Sequence, residues 1–260
     1  MSSYLRDTAF VLLAEPFKDQ DVWVTLYGEQ HGKLVGIARG VRSATSKQRG
    51  HIQPYSKIEV MIAKGSAYDK IAVAQTCASS YALRSSLPGM AIFGSAVALV
   101  ARSSDSAVPN QRIFQLLNEL HGLLSGPEAK RISIERSALV FSSFTLHFLE
   151  AEGYGMEFDR CRSCGKAFEK EVLWLSLELG GVICRSCASR TPQSPSMGSW
   201  IAYPVLQTIR FLLREPLVSV LALSAPRSIL QEVATAVDQL TSVLPRATEK
   251  SVHEFLFSLA

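Results

Sequence analysis

The sequence predicts an α+β protein in which an all-β amino-terminal region precedes an α-helical region with a small embedded module. Three observations support this organisation. Short runs of alternating polarity occupy the first 78 residues, apolar residues recur at helical spacing after them, and two Cys-x-x-Cys pairs lie between residues 154 and 190. We therefore expect one domain at residues 1–78 and a second at 79–260, with the module inserted in the second at about 154–190.

The amino-terminal region contains five predicted β-strands, each rich in β-branched residues and separated from the next by glycine or proline turn signals. These strands cover residues 8–13, 21–27, 33–38, 56–63 and 70–75. Five short strands in so few residues favour a small closed β-barrel, for which the OB-fold is the natural candidate.

A strongly basic stretch lies inside the predicted barrel. From Gln30 to Ile58 the chain has no Asp or Glu, although its overall net charge is only +4. Cations on a loop of small and hydroxyl residues are suited to contact a phosphate backbone, whereas a solvated surface loop is the alternative. Tyr27 and Tyr55 are candidates either for base stacking or for the core or rim of the barrel. The candidate DNA-binding cations are Lys33, Arg39, Arg42, Lys47 and Arg49.

Helical periodicity dominates the rest of the chain outside the cysteine-containing module. Predicted helices cover residues 90–102, 109–125, 132–152, 205–214 and 227–244, with a last short helix at 248–259. A Pro- and Ser-rich linker is predicted at residues 191–198. His147, on an apolar stretch, and Cys77, outside the cysteine pairs, are both predicted to be core residues.

The two Cys-x-x-Cys pairs predict a four-thiolate metal site formed by Cys161, Cys164, Cys184 and Cys187. A predicted strand at 172–179, a Gly-Gly turn and a short return strand would bring the second pair back beside the first. Four thiolates leave no open coordination position, so we expect one structural zinc ion rather than a catalytic one. Disulfides, a redox Cys-x-x-Cys and a site without metal are the alternatives.

No motif nominates a catalytic residue or a membrane segment. The chain has no phosphate-binding P-loop, no Gly-x-Ser-x-Gly and no His-Glu-x-x-His motif, and we do not expect an enzyme. It shows no signal-peptide pattern, and its most apolar run, at residues 90–101, is too short to span a bilayer. Cysteines in metal spacing fit a reducing compartment. We therefore expect a soluble, cytoplasmic protein.

Several segments carry a family resemblance. They read TLYGEQHGKL at residues 25–34, ARGVR at 38–42, IQPYS at 52–56, FLEAEGY at 148–154, and DRCRSCG and GGVICRSC around the cysteines. In these segments the chain resembles the bacterial RecO family of recombination mediators. The resemblance implies an OB-fold, a helical domain and an embedded zinc module, and it places DNA contacts on the five candidate cations named above.

The resemblance also implies a function in DNA repair. Members of the family bind single- and double-stranded DNA and anneal complementary strands. They act with RecR, and often RecF, to help RecA load onto DNA covered by single-strand binding protein (SSB), whose acidic tail they also bind. Arg210, Arg214 and Lys250 are candidates for receiving that tail. An RNA-binding OB-fold protein with a zinc ribbon and a zinc-containing enzyme are the competing interpretations.

Overall fold

The computed structural model describes residues 4–78, 80–191 and 197–244, so the predicted helix at 248–259 and most of the predicted linker lie outside the described residues. The chain divides into two compact units, Met1–Ala129 and Lys130–Ala260. None of the described helices combines the length and the apolar character needed to cross a membrane.

The first unit begins with a closed barrel of five strands in the order β1-β2-β3-β5-β4. Neighbouring strands are antiparallel except β3 and β5, which pair in parallel, as an OB-type barrel requires. The predicted strands and barrel are therefore confirmed. The strands are β1 (Tyr4–Phe17), β2 (Asp21–Gly28), β3 (Gly32–Ala38), β4 (Lys57–Ala63) and β5 (Lys70–Ala78).

Alternation along the strands places one set of side chains inside the barrel and the other set outside. Val24, Leu26 and Ile58 belong to the interior cluster and are almost fully buried. On the outer face of β1, Phe10 is also fully buried, because helices of the same unit cover it. The first unit therefore has two apolar cores, one in the barrel interior and one between the outer surface of the barrel and the helices.

Three helices complete the first unit: α1 (Tyr81–Arg84), α2 (Leu87–Ser103) and α3 (Gln111–Ser125). The Ser86 side chain caps α2 by accepting from the Gly89 amide, and the Asn110 side chain caps α3. These helices share a compact unit with the barrel, although β5 ends at Ala78, where the domain boundary was expected. A domain boundary at residue 78 stays a prediction.

Among the described residues, the longer helices of the second unit are α4 (Ile134–Ala151), α6 (Tyr203–Arg214) and α7 (Arg227–Thr241); the short α5 (Arg185–Ala188) belongs to the cysteine module described below. 3-10 turns lie at Pro127–Arg131, across the boundary, and at Leu217–Ala222. Helix α4 is buried along most of its described length. The Ser143 hydroxyl donates to the Leu212 carbonyl oxygen of α6 at 3.0 Å, so the helices are joined by a buried polar contact as well as by apolar packing. His147 is buried on α4, as predicted.

The cysteine-containing module of the second unit is a three-stranded sheet in the order β7-β6-β8 with a short helix. Its elements are β6 (Leu173–Ser176), β7 (Gly181–Ile183), α5 (Arg185–Ala188) and β8 (Gly198–Ile201). The predicted strand is shorter than expected, because the turn already begins at residue 177. Strand β8 was not predicted, since its four residues form a strand only by pairing with β6.

The prediction of Cys77 as a core residue is wrong, because this side chain is exposed on β5. Regular alternation from the buried Ile71 would direct residue 77 inward. The pairing of β4 with β5 instead shifts register between Met61 and Ile62, and Ala74 becomes the next buried residue. Cys77 therefore points outward.

Candidate metal centre and nucleic-acid interface

The structure brings the four predicted cysteines together in one cluster. Their four sulfur atoms lie within 4.8 Å of one another, and the Cys164 and Cys184 sulfurs are 3.9 Å apart. Tetrahedral coordination at about 2.3 Å per Zn–S bond separates the sulfurs by about 3.8 Å. All four cysteines are free rather than disulfide-bonded, and the donor set and spacing therefore fit a tetrahedral metal ion.

The first cysteine pair lies on a tight turn. The Gly165 amide donates to the Cys161 carbonyl oxygen at 2.8 Å, and the Cys161 amide donates to the Lys166 carbonyl oxygen at 2.9 Å. Gly165 closes this turn at φ +71°, a conformation that other residues rarely adopt. The turn directs both sulfurs of the pair to one side.

The second cysteine pair begins helix α5, with Cys184 at the N-cap position. The Cys184 amide donates to the Cys161 sulfur at 3.3 Å and so links the two pairs. Strand β7 delivers this pair to the first, and it passes close to another segment: a Cβ atom at Gly181 would meet the Glu157 carbonyl oxygen at 2.5 Å. The second glycine of the predicted Gly-Gly turn is thus required by close backbone approach.

The pKa values of the Cys184 and Cys187 thiols are shifted in opposite directions. Burial raises the pKa of Cys184, but hydrogen bonds from the Ser186 hydroxyl and the Cys187 amide outweigh burial and lower this pKa to about 6. At Cys187 a hydrogen bond with Ser163 lowers the pKa, but hydrogen bonds with the neighbouring cysteine sulfurs, together with burial, raise it to about 11. Because a metal binds the thiolate form, binding at this cluster is accompanied by proton release.

Arginines of α6 hold the cysteine module against the helices of the second unit. Arg210 donates to the carbonyl oxygens of Phe158 and Asp159 at 2.8 and 3.0 Å, and Arg214 pairs with the Asp159 carboxylate at 2.6 Å. Both candidate SSB-tail arginines are therefore engaged in joining parts of their own unit. Lys250, the third candidate, lies outside the described residues.

The basic stretch forms a series of turns that leave four of its five candidate cations exposed: Arg39, Arg42, Lys47 and Arg49. Val41 and Ile52 anchor the segment in the barrel interior. The Gln48 side chain donates to the Ala72 carbonyl oxygen of β5 at 2.9 Å. We call the segment that carries these four cations, residues 39–49, the basic loop. The apolar anchors and the Gln48 hydrogen bond hold this segment against the barrel.

Lys33, a predicted DNA contact, is buried in the structure. Its side chain is 7% exposed, and its ammonium donates to the Ala101 and Ser104 carbonyl oxygens at the end of α2. A cation at a helix C-terminus is favourable, because it satisfies carbonyl groups that lack partners within the helix. Lys33 therefore joins the barrel to α2.

The two predicted stacking tyrosines also face helices of the first unit. Tyr27 is fully buried, and its hydroxyl donates to the Asn110 carbonyl oxygen at 3.4 Å, which places it in the core, the alternative to base stacking. Tyr55 is half-buried and packs edge-on against Phe93 of α2, with ring centroids 5.7 Å apart. The Tyr55 ring therefore contributes to the outer core, and its contact with DNA stays a prediction.

Three aromatic residues of the barrel were missed in the sequence: Phe17, Trp23 and Tyr68, which cluster on its surface. A signal for Trp23 was available, because it alternates with the core residues Val22 and Val24 and so points outward. Tyr68 carries no such signal, since it lies in a loop. We call these three residues the aromatic patch.

Comparison with known proteins identifies the family. The model of the recombination protein O N-terminal domain matches residues 1–80, and the model of its C-terminal domain matches residues 84–244. The chain belongs to the recombination protein O (RecO) family. Its two matched regions correspond to the barrel and to the helices with the cysteine module, which is the organisation predicted from the sequence.

Curated relatives agree with this assignment. A DNA repair protein RecO of Dehalococcoides mccartyi is 30% identical over 207 residues, which cover 79% of this chain and 77% of the relative. RecO of Pelotomaculum thermopropionicum is 29% identical over 73% of this chain and 70% of its own length. RecO of a Nocardioides species is 29% identical over 74% of this chain and 76% of its own length. These RecO relatives therefore match along most of both chains.

Proposed function

We propose that this chain is a recombination mediator that binds single- and double-stranded DNA and anneals complementary strands. With RecR and RecF it helps to load RecA onto single-stranded DNA covered by SSB. The observation that carries the proposal is the basic loop: four exposed cations on an OB-type barrel in a chain of the RecO family. Relatives named as DNA repair proteins support the same function.

Annealing requires no covalent chemistry, only a reduction of the repulsion between two phosphate backbones. Each cation that contacts a phosphate releases counterions, so binding weakens as salt rises. Four such contacts give a slope of log K against log salt of about −0.7 × 4, or about −2.8, on single strands. Lys33 is left out of this number because it is buried.

The four-cysteine cluster serves the proposed function by stabilising the second unit. Cys161, Cys164, Cys184 and Cys187 would hold one zinc ion with no coordination position left for a substrate. The zinc would supply cross-links between two turns of a module whose own apolar core is small. Its role is therefore structural.

Protein partners follow from the proposed pathway. Contact with the acidic tail of SSB would deliver the chain to covered DNA, and RecR and RecA would act on the resulting complex in the bacterial cytoplasm, close to the nucleoid. The SSB-tail site is not assigned to Arg210 or Arg214, because both pair within their own unit.

Annealing of complementary oligonucleotides, bare and SSB-covered, tests the proposal directly. We expect acceleration on both substrates, weaker at high salt. The triple variant Arg39→Ala, Arg42→Ala, Lys47→Ala should anneal slowly, and its salt slope for single-stranded DNA should become shallower by about 0.7 × 3, or about 2.

A matched control removes three exposed cations of the same unit that lie outside the basic loop: Arg6→Ala, Arg102→Ala, Arg112→Ala. It changes the net charge by the same amount and should retain most of the annealing rate and slope. Equal loss in both triple variants would reject a specific role of the basic loop. Binding without annealing, with preference for RNA, would favour a function in RNA metabolism instead.

A further inference from the structure

The outer face of the β2–β3 ribbon has two different halves. At one end, Tyr27 and Lys33 are directly paired across the strands and are covered by the helices of the first unit. At the other end, Trp23 and Ile37 are directly paired across the strands, and Ile37 lines a surface cavity together with Tyr68. Strands 2 and 3, with the loops after strands 1 and 4, form the surface on which OB-folds bind oligonucleotides.

The aromatic patch occupies this second half. The Trp23 and Tyr68 rings meet edge to face with centroids 5.4 Å apart, and Phe17 lies 5.6 Å from Trp23. Tyr68 is 53% exposed although its ring belongs to the cluster. Aromatic residues usually bury most of their surface, so an exposed ring supported by two others suits a ligand with a flat face.

The loop that carries Tyr68, residues 64–69, is held in one conformation by its own contacts. Asp69 accepts from the Lys64 ammonium at 2.7 Å and from the Gly65 amide at 3.2 Å. The Asp69 carbonyl oxygen accepts from the Ile37 amide of β3 at 2.9 Å, which ties the loop to the ribbon. The Tyr68 ring is therefore presented on a pre-organised loop, which lowers the entropic cost of binding.

Three cations lie beside the aromatic patch. Arg39 and Lys70 line a surface cavity of about 230 Å³ together with Tyr68, and the Lys18 ammonium lies 5.4 Å from the Phe17 ring centroid. Of the neighbouring carboxylates, Asp69 pairs with Lys64, and Asp21 accepts from the Gly40 amide at 2.9 Å. Glu15, directly opposite Trp23 on β1, is exposed on the same face. Arg39 also begins the basic loop, so phosphate-binding and ring-bearing surfaces are continuous.

We propose that the aromatic patch stacks on unpaired bases of single-stranded DNA, with Tyr68 as its principal platform, while Arg39 and Lys70 contact the adjacent phosphates. This inference rests on the proposed DNA-binding function and deepens it. Stacking is indifferent to base identity, because every base has a flat face. Stacking also favours single-stranded over double-stranded DNA, because bases within a duplex are already stacked on one another.

Equilibrium binding to two 20-nucleotide probes, dT20 and an abasic strand with the same number of phosphates, separates stacking from charge. The wild-type chain should bind dT20 more tightly than the abasic strand. Tyr68→Ala should weaken dT20 binding on the order of 10-fold and leave abasic binding and the salt slope unchanged. Tyr68→Phe retains the ring and should bind dT20 as the wild type does.

Tyr81→Ala is the matched control, because Tyr81 is 76% exposed on the same unit but lies outside the patch. It should leave both affinities unchanged. Equal binding of dT20 by wild type and Tyr68→Ala overturns the stacking proposal while the proposed function stands. Wild-type affinities that are equal for dT20 and the abasic strand also overturn it. If the wild type binds neither probe, the proposed function fails as well.

Intrinsic fluorescence gives a second measurement that does not depend on affinity. Trp23 should be quenched when dT20 binds, because a stacked or adjacent base contacts its ring. Trp23→Phe should abolish this quenching, whereas Trp174→Phe, in the cysteine module, should retain it. Quenching that persists in Trp23→Phe would contradict the placement of bases on the aromatic patch.

Discussion

The barrel and the cysteine module stabilise themselves in different ways. The barrel has a continuous apolar interior supplied by all five strands, and its basic loop and aromatic patch lie on the outside. The cysteine module has a small core to which Cys161, Cys184 and Cys187 themselves belong. Small modules of this kind rarely bury enough apolar surface to fold without a metal or cross-link. In the barrel the proposed DNA-binding surface lies apart from the core that stabilises the fold, whereas in the module the cysteines of the proposed metal site belong to the core itself.

The largest effect should follow from breaking the metal site. Cys184→Ser or a strong zinc chelator should unfold the cysteine module, because zinc binding in small zinc-dependent modules supplies about 10–16 kcal/mol of apparent free energy. Zinc content, protease resistance and the emission of Trp174 and Trp200 report the change. The control Cys77→Ser, at an exposed cysteine outside the cluster, should change none of these. A Cys184→Ser variant with wild-type protease resistance would show that the module does not depend on metal.

A smaller effect should follow from a cavity in the barrel. Ile58→Ala removes a fully buried side chain and should lower the free energy of unfolding by about 2–5 kcal/mol. Val73→Ala, on the exposed face of β5, should change it by less than about 0.5 kcal/mol. Denaturant melts measure both variants, and zinc content should remain that of the wild type. Loss of zinc from Ile58→Ala would contradict separate stabilisation of the two regions.

The first unit should also lose stability at mildly acidic pH through His121. Burial, followed by the charges of Lys57 and Arg84, lowers the pKa of His121 to about 4, below its ordinary 6.5. The unfolded chain therefore binds this proton more readily, and stability decreases as the pH falls from about 6.5 towards 4, by up to about 3 kcal/mol. His121→Gln, which keeps a polar side chain for the Ser80 hydroxyl but does not titrate, should flatten the profile. An unchanged pH profile in this variant would exclude His121 as the cause.

The smallest effects should distinguish a buried cation from an exposed one. Lys33→Met should lower stability by about 1–3 kcal/mol, because it leaves carbonyl groups at the end of α2 without their donor, and the salt slope of DNA binding should not change. Arg42→Ala should do the reverse: stability is retained and the slope for single strands becomes shallower by about 0.7. Parallel melts and salt titrations measure both. A changed slope in Lys33→Met would place that cation at the DNA after all.

Local patterns in the sequence determined the five strands of the barrel, the main helices and the four cysteines that cluster in the structure. Each of these features depends on neighbours within a few residues: alternation along a strand, an Asn or Ser before a helix, or two cysteines on one turn. The family motifs are equally local. The positive charge of the basic loop is also visible in the sequence, because no Asp or Glu lies between Gln30 and Ile58.

Tertiary structure alone decided which cations and aromatic residues remain exposed and able to contact a ligand. Lys33 and Tyr27 look like ligand-binding residues in the sequence, but Ala101, Ser104 and Asn110 cover them from about 70 or more positions away along the chain. Cys77 faces outward because of a register shift between two strands, and β8 exists because β6 offers it a partner. Tyr68 joins Trp23 only when the barrel closes. Exposure and pairing depend on contacts between distant segments, and such contacts leave no local pattern in the sequence.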